Sequence, residues 1–454
     1  MTSAAPHQSI LDKPFVLDLF AGPGGLDVAG HALEIPSLGI EWDRSACLTR
    51  YAAGLDTLHA DVSAVRRDAF ESLPPEINVL AGGPPCQTYS VAGNGAGRRA
   101  LEHVKKYIER LAAGDSSEEI DRDLTADVRT HGGDPRTALV LEPLRYAIQA
   151  TRSPNREYRP YDVIVLEQVP AVEEVWHHYA KVLQDTGLPD GTRYNVVVDV
   201  LATETYGVPQ KRSRAVLIAR REGLGAPSLP PATHRAYEAK EWNRRVARAT
   251  CEVHQPTLDE DTAPKIEHLE GADEDLLPWR SMGDVLADPA GTHPGRRTPF
   301  LVRSNYGSSG VPGRRGVRTD KQPAATVTGR ISRFVVFEHL DENIVYEGPR
   351  FSMNEAGMLQ SFPPDYPWSG TAQAQQVGNA VPPLFGAHLL SAALGLATPH
   401  PDVLREPWWP ASEEQRAKLR SHGCGDANAC TARCPRPEDQ ATPPSQPRKK
   451  AATK

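Results

Sequence analysis

The chain has 454 residues, with 51 Lys and Arg against 58 Asp and Glu, and its net charge of −7 gives no global sign of a polyanionic partner. No apolar run approaches the roughly 20 residues a membrane span needs, and no basic flank with an apolar core opens the chain, so a cytoplasmic protein with no membrane association is expected. Cysteines at 47, 86, 251, 424, 430 and 434 are scattered, which fits free thiols in a reducing compartment and not a disulfide framework.

The length suits two domains and a tail. In chain order, "PFVLDLFAG" predicts a strand, "GGLDVAGHAL" a helix, "SLGIEWD" a strand and "RSACLTRYAAG" a helix; "INVLAGG", "YDVIVLEQV", "YNVVVDVLATE" and "RAVLIAR" continue the strands. Near-continuous Val, Ile and Leu predicts cover on both faces. The expected fold over 14–220 is therefore α/β, a doubly wound, mostly parallel sheet. Within it, 94–133 predicts a loop and one inserted amphipathic helix, a candidate lid or a surface decoration. From 221 to 347 the pattern dissolves into Pro, Gly, Arg and Asp, which predicts a smaller, irregular domain. Helical periodicity returns over 348–398, expected to pack back on the first domain, and 399–454 is Pro-rich and charged, a composition that favours disorder.

The turn "DLFAGPGGLD" carries a strand into a helix, so that backbone N–H groups at the helix start approach a ligand closely. Alone it would serve a dinucleotide, another nucleoside cofactor or no ligand at all. Glu41 lies 19 residues beyond Gly22 and ends the next strand, where an acid can take both hydroxyls of a ribose. Trp42 offers a face for an adenine ring, and Asp61 of "HADVS" an acceptor for an exocyclic amine. With no Lys or Arg in the turn, these residues describe an adenosine site better than a phosphate site. S-adenosylmethionine is such a cofactor.

"LAGGPPCQTYS" sets Cys86 behind two glycines and two prolines at a strand end, a setting for a nucleophile, although a cysteine is often simply buried. "LEQVP" puts Glu167 at the end of another strand, and in doubly wound sheets the ligand crevice lies at that edge. A thiol and a carboxyl at adjacent strand ends suit attack on an electron-poor ring. "YGVPQKRSRAVLIAR" adds Gln210, Arg212 and Arg214; alternation puts both arginines on one face, paired with an anion or with Glu167. Arg296, Arg297, Arg303, Arg314, Arg315, Arg318 and Lys321 form a basic region, either a nucleic-acid surface or a solvated face. In the tail, His422, Cys424, Cys430 and Cys434 could bind zinc, but lack a paired C-x-x-C.

"DLFAGPGG", "GGPPCQTYS", "LEQVP", "PQKRSRAVLIA", "RFSMNEAGMLQSFPPDYP" and "QQVGNAVPP" stand in the order and spacing of the cytosine-5 DNA methyltransferases, which the chain resembles from about Val16 to Ala397. The resemblance implies a class I methyltransferase, Rossmann-like fold with a target-recognition domain, acting on double-stranded DNA with S-adenosylmethionine. It implies Cys86 as the nucleophile on carbon 6 of a flipped cytosine, Glu167 at the ring nitrogen, Arg214 at the base and Arg212 in support. Asp18, Phe20, Gly22, Gly24 and Gly25 of the turn, with Glu41, Trp42, Asp61, Pro84 and Asn379, become cofactor contacts. Gln87, Ser90, Gln210, Thr326 and Thr328 become DNA contacts. Gln168 stands where the family has Asn, and its added methylene is expected to shift a loop-holding hydrogen bond. A monomer is expected, serving a restriction–modification system beside a separate cognate endonuclease, or acting alone. The transfer-RNA branch of the family lacks support because its Cys-Phe-Thr element is missing, and a DNA-binding protein without catalysis is the remaining alternative.

Overall fold

The computed structural model describes residues 9–85, 96–131, 135–154, 160–238, 275–287, 296, 299–307, 315–341 and 344–404. The strands are β1 (Val16–Leu19), β2 (Ser37–Glu41), β3 (Thr57–His59), β4 (Val79–Gly82), β5 (Val163–Gln168), β6 (Tyr194–Ala202), β7 (Ser213–Arg221), β8 (Phe300–Gly307), β9 (Arg315–Thr319), β10 (Val335–Asp341) and β11 (Ile344–Glu347). The helices are α1 (Gly25–Ala32), α2 (Arg44–Ala52), α3 (Val62–Asp68), α4 (Ala96–Ala112), α5 (Ser117–His131), α6 (Glu142–Arg152), α7 (Glu173–Lys181), α8 (Met282–Leu286), α9 (Met353–Leu359), α10 (Gln373–Asn379) and α11 (Pro383–Leu394).

The first seven strands form one sheet in the order β3-β2-β1-β4-β5-β7-β6. β1 to β5 are parallel, and β7 runs antiparallel between β5 and β6. The doubly wound, mostly parallel α/β sheet read from the sequence is therefore present. Strand alternation divides its core. Leu17, Leu19, Leu80, Ile164 and Leu166 face α3, α4, α6 and α7. Val16, Val79, Ala81, Val163 and Val165 face α1 and α11. Burial on both sides is what the unbroken Val, Ile and Leu of these strands requires.

Local signals set the helix starts. Asp43 accepts from Ala46 N at 2.8 Å to cap α2, and Asp61 accepts from Ala64 N at 2.9 Å to cap α3. Ser352 and Glu355 form a reciprocal capping box at α9. The stretch 373–394 is, by length and composition, apolar enough to span a membrane, which corrects the expectation that no run is. It is broken at 380–382 into α10 and α11, and 83% of its apolar window is buried in the fold.

Two more expectations change. The insertion forms two helices, α4 and α5, whose Val104, Tyr107, Ile108, Leu111, Ile120 and Leu124 lie in the main core. Arg66 of α3 and Arg145 of α6 form buried ion pairs with Glu142, and Arg145 also pairs with the partly exposed Asp121 of α5. The described residues of both helices form part of the main layer. Second, the region expected to be irregular holds an antiparallel sheet, β11-β10-β8-β9, whose core of Phe300, Val302, Phe334 and Val336 is completed by Leu359 of α9 and Val377 of α10.

Candidate active site

The parallel strands deliver their functional residues to one edge. Leu19, the last residue of β1, pairs with Ile40 on one side and Gly82 on the other, and Gly82 pairs with Leu166. Phe20, Glu41, Gly83 and Glu167 thus emerge side by side. The chain reverses its winding between β1 and β4, which is where such sheets open a ligand crevice. β7 enters from the same edge, so that Arg214 lies beside Glu167.

At the β1 turn, Gly22 donates its N–H to Glu41 Oε2 at 2.8 Å, and Asp43 donates to Glu41 Oε1 at 2.7 Å. These bonds fix the carboxylate against the turn. Burial raises the Glu41 pKa, and the two N–H donors oppose the rise. Trp42, next along, is 56% exposed and presents an open ring. Phe20 has φ 61°, a left-handed backbone costing a bulky residue about 1–3 kcal/mol. Gly24 precedes α1, Gly25 opens it, and Tyr366 donates its hydroxyl to Pro23 O at 2.6 Å, holding the turn from behind. Asp61 ends the segment after β3, and Asn379, at the end of α10, is exposed, its Oδ1 accepting from Gln375 at 2.9 Å. An open indole, fixed acids and a turn without cations suit an adenosine ligand.

Asp18 needs correction as a cofactor contact. It is 2% exposed on β1 beneath the turn, beside Asp27, whose carboxylate binds Arg50 at 2.5 Å. Burial first, and then the neighbouring Asp27, hold the Asp18 carboxyl well above the ordinary carboxylate range, with Arg50 opposing. It supports the turn from inside.

Glu167 Oε2 lies 3.1 Å from Arg214 Nε. The contact is a buried ion pair. Burial lowers the Arg214 pKa and Glu167 counters it; burial and the adjacent Arg214 lower Arg212 further. Two guanidinium groups against one carboxylate leave this dry cluster with unbalanced positive charge, which favours a ligand that gains negative charge as it reacts. A Cβ on Gly83 would sit 2.6 Å from Glu167 Oε1, so any larger residue there would have to displace the acid. Gln168 donates Nε2 to Pro84 O at 2.5 Å. The longer amide makes the loop-holding bond.

Cys86, Gln87 and Ser90 lie outside the described residues; Cys86 follows directly on Pro85, the last described residue of that loop. The zinc candidates His422, Cys424, Cys430 and Cys434 also lie outside them, and among the described residues no cluster could hold a metal.

The DNA-side assignments divide. Gln210 is fully buried and its amide bonds to Val327 N, Leu359 O and Gln360, so it braces the protein and does not face DNA. Arg212, 3% exposed, donates to the carbonyls of Val327, Gly378 and Ala380, and so supports the site without facing it. Thr326 donates its hydroxyl to Lys211 O at 2.8 Å, and Thr328 accepts from Arg330 N at 3.3 Å. In the basic region, Arg296 is buried against Glu338 and Glu355, and Arg318 bonds to Pro323 and Ala324 carbonyls. Gly83, Gln168 and Gln360 all lie within the quoted motifs; the sequence marks Gln168 as holding a loop but gives no sign of what Gly83 and Gln360 touch.

Residues 15–107 and 156–393 match the family model of the C-5 cytosine-specific DNA methylases. The type II methyltransferase M1.HphI of Haemophilus parahaemolyticus is 28% identical over 407 residues, covering 84% of this chain and 87% of that protein. The type II methyltransferase M.SacI of Streptomyces achromogenes is 25% identical over 409 residues, covering 84% and 92%. Among solved structures, the S. pombe Dnmt2 methyltransferase superposes with a TM-score of 0.48 at 16% identity, over 84% of this chain and 99% of that one. The family match spans the glycine turn, the Cys86 loop, Glu167, the arginine pair and Asn379, and leaves out 108–155, which holds the end of α4 together with α5 and α6. The chain belongs to the C-5 cytosine-specific DNA methylase family.

Proposed function

We propose that this DNA cytosine-5 methyltransferase works through a covalent bond between Cys86 and carbon 6 of a cytosine extruded from duplex DNA. The observation that carries the reading is the Glu167–Arg214 pair, bonded through Gln168 to the loop that runs into Cys86. A buried carboxyl at a strand end, with an arginine fixing its orientation, is placed to share a proton with a ring nitrogen. The thiolate forms the carbon–sulfur bond, the electron pair of the 5,6 double bond moves into the ring, and Glu167 relays a proton from solvent to the ring nitrogen that gains charge. Carbon 5 is then a nucleophile. Bound S-adenosylmethionine supplies an electrophilic methyl group there. Once carbon 5 is methylated, a base removes its proton and the thiolate leaves, restoring the double bond.

Glu41, Trp42 and Asp61 would hold the ribose, the adenine face and the exocyclic amine, with Phe20, Gly22 and Asn379 closing the pocket. Thr326 and Thr328 would approach the duplex. Extruding the base costs a few kcal/mol, which basic contacts to the phosphates would offset. A cytoplasmic monomer serving a restriction–modification system, with any cognate endonuclease a separate protein, fits this chemistry.

The test is tritium transfer from labelled S-adenosylmethionine to duplex DNA, with a denaturing gel for an adduct on DNA carrying 5-fluorocytosine. Fluorine cannot leave as a proton, so the wild-type adduct should persist and disappear in Cys86→Ser. Transfer without any trapped adduct would sink the covalent mechanism. Transfer to RNA alone would move the substrate to transfer RNA, and tight DNA binding without transfer would make the chain a silent binder.

A further inference from the structure

Segments far apart in the chain meet in a closed circuit of buried hydrogen bonds. Val327, between Thr326 and Thr328, donates its N–H to Gln210 Oε1 at 3.0 Å, and its carbonyl accepts from Arg212 at 2.9 Å. Gln210 Nε2 donates to Leu359 O at 3.1 Å and to Gln360 Oε1. Gln360 Nε2 donates in turn to Val377 O at 2.7 Å. The next carbonyl, Gly378, accepts from Arg212 at 3.2 Å, which closes the ring. Gln210, Gln360, Val327 and Val377 are fully buried.

Both amides act as donor and acceptor, so neither turns over without breaking bonds on two sides. The carbonyls of Val377 and Gly378 belong to the last turn of α10, which needs partners from outside the helix. Asn379 is the next residue. Across the ring, Val327 fixes the backbone between the two threonines. A Cβ on Gly378 would overlap Gly329 N and Thr328, so the two segments meet backbone to backbone. A shift at one is therefore transmitted to the other, with no soft side chain between them to absorb it.

We propose that Gln360 is a positioning residue that couples cofactor binding at Asn379 to duplex binding at Thr326–Thr328. The inference rests on the roles given to those two segments above. Gln360 itself touches neither ligand. A cofactor that fixes Asn379 fixes the Val377 and Gly378 carbonyls, and through the ring both polar groups of Val327. The coupling is reciprocal, so a bound duplex must tighten the cofactor by the same factor.

The test uses full-length protein and the duplex whose methylated site the tritium assay maps. Its affinity is measured with and without S-adenosylhomocysteine, in wild type and in Gln360→Met, which keeps the side-chain length and leaves Gln210 its bond to Leu359. Wild type should bind the duplex about five-fold or more tightly with S-adenosylhomocysteine present, and the variant should lose part of that gain, since the Arg212 bridge and the Gly378 contact remain, while keeping its affinity for S-adenosylhomocysteine alone. Equal tightening in both proteins, or none in wild type, overturns the coupling and leaves the methyltransferase reading intact. Absence of methyl transfer by wild type removes that reading, and the coupling with it. Should the variant fail to fold, hydrogen exchange at the Val327 amide of wild type decides: S-adenosylhomocysteine alone should slow it, and an unchanged rate refutes the proposal.

Discussion

Gln168 bonds through its side chain to the carbonyl of Pro84, at 2.5 Å, while its own Oε1 accepts from Val169 N at 2.6 Å. The strand end bearing Glu167 and the loop leading into Cys86 are thus held at one spacing. Gln168→Ala removes the tie and leaves both Glu167 and Cys86 in the chain. Loss of about 1.4 kcal/mol of positioning corresponds to roughly a ten-fold fall in kcat. Gln168→Asn should recover part of the rate. An unaltered kcat in the alanine variant would mean that the loop needs no such tie.

Asp18 gives a prediction in pH. Its carboxyl is held well above its ordinary 3.8, first by burial and then by Asp27. The folded protein therefore keeps a proton that the unfolded chain releases, and the resulting stabilisation is complete below that ordinary value and lost as pH rises through the folded pKa. Asp18→Asn imitates the protonated form at every pH and keeps a donor for Asp27. The variant should gain in Tm relative to wild type as pH rises from the ordinary 3.8 through the folded pKa. A Tm difference that stays constant across this range would refute the raised pKa.

Motifs at strand ends were legible because strand, turn and helix start are neighbours in the chain: Phe20 to Gly25, Glu41, Gly83 to Pro85 and Glu167 needed no long-range information. The antiparallel sheet was not, because its apolar runs are short and set among polar residues. In β8, Phe300 and Val302 are buried while Leu301 and Arg303 are not, so only three apolar residues stand together. Gln210 and Asp18 mislead for another reason. A polar residue inside a motif reads as a ligand contact, but Gln210 is covered by residues 149 and 150 positions away, and only the assembled fold reveals it. Gln360 reaches its partners by the same distant packing.

The inserted helix α4 provides a test of its standing as core. Ile108 is fully buried against the layer that includes α7. Ile108→Ala removes three carbons from a packed interior and should cost about 2–5 kcal/mol, seen as a lower Tm with kcat little changed at temperatures where the protein is folded. A mobile cover would behave in the opposite way, with Tm preserved and turnover altered.

Trp42 separates cofactor binding from folding. At 56% exposure the ring contributes little to the core, so its removal should leave Tm near that of wild type. It stands one residue beyond Glu41, whose carboxylate is already fixed by Gly22 and Asp43, so truncating the indole leaves the neighbouring acid in place. If the ring stacks on adenine, the loss should be about 1–3 kcal/mol, the range found for a base on an aromatic side chain. Trp42→Ala should then raise the Kd for S-adenosylmethionine by roughly ten-fold or more, and Trp42→Phe should recover much of it, because a smaller flat ring still offers a face. Duplex affinity without cofactor should be unaffected. Equal cofactor affinity in wild type and Trp42→Ala would place the adenine elsewhere and leave the exposed indole without a ligand-binding role.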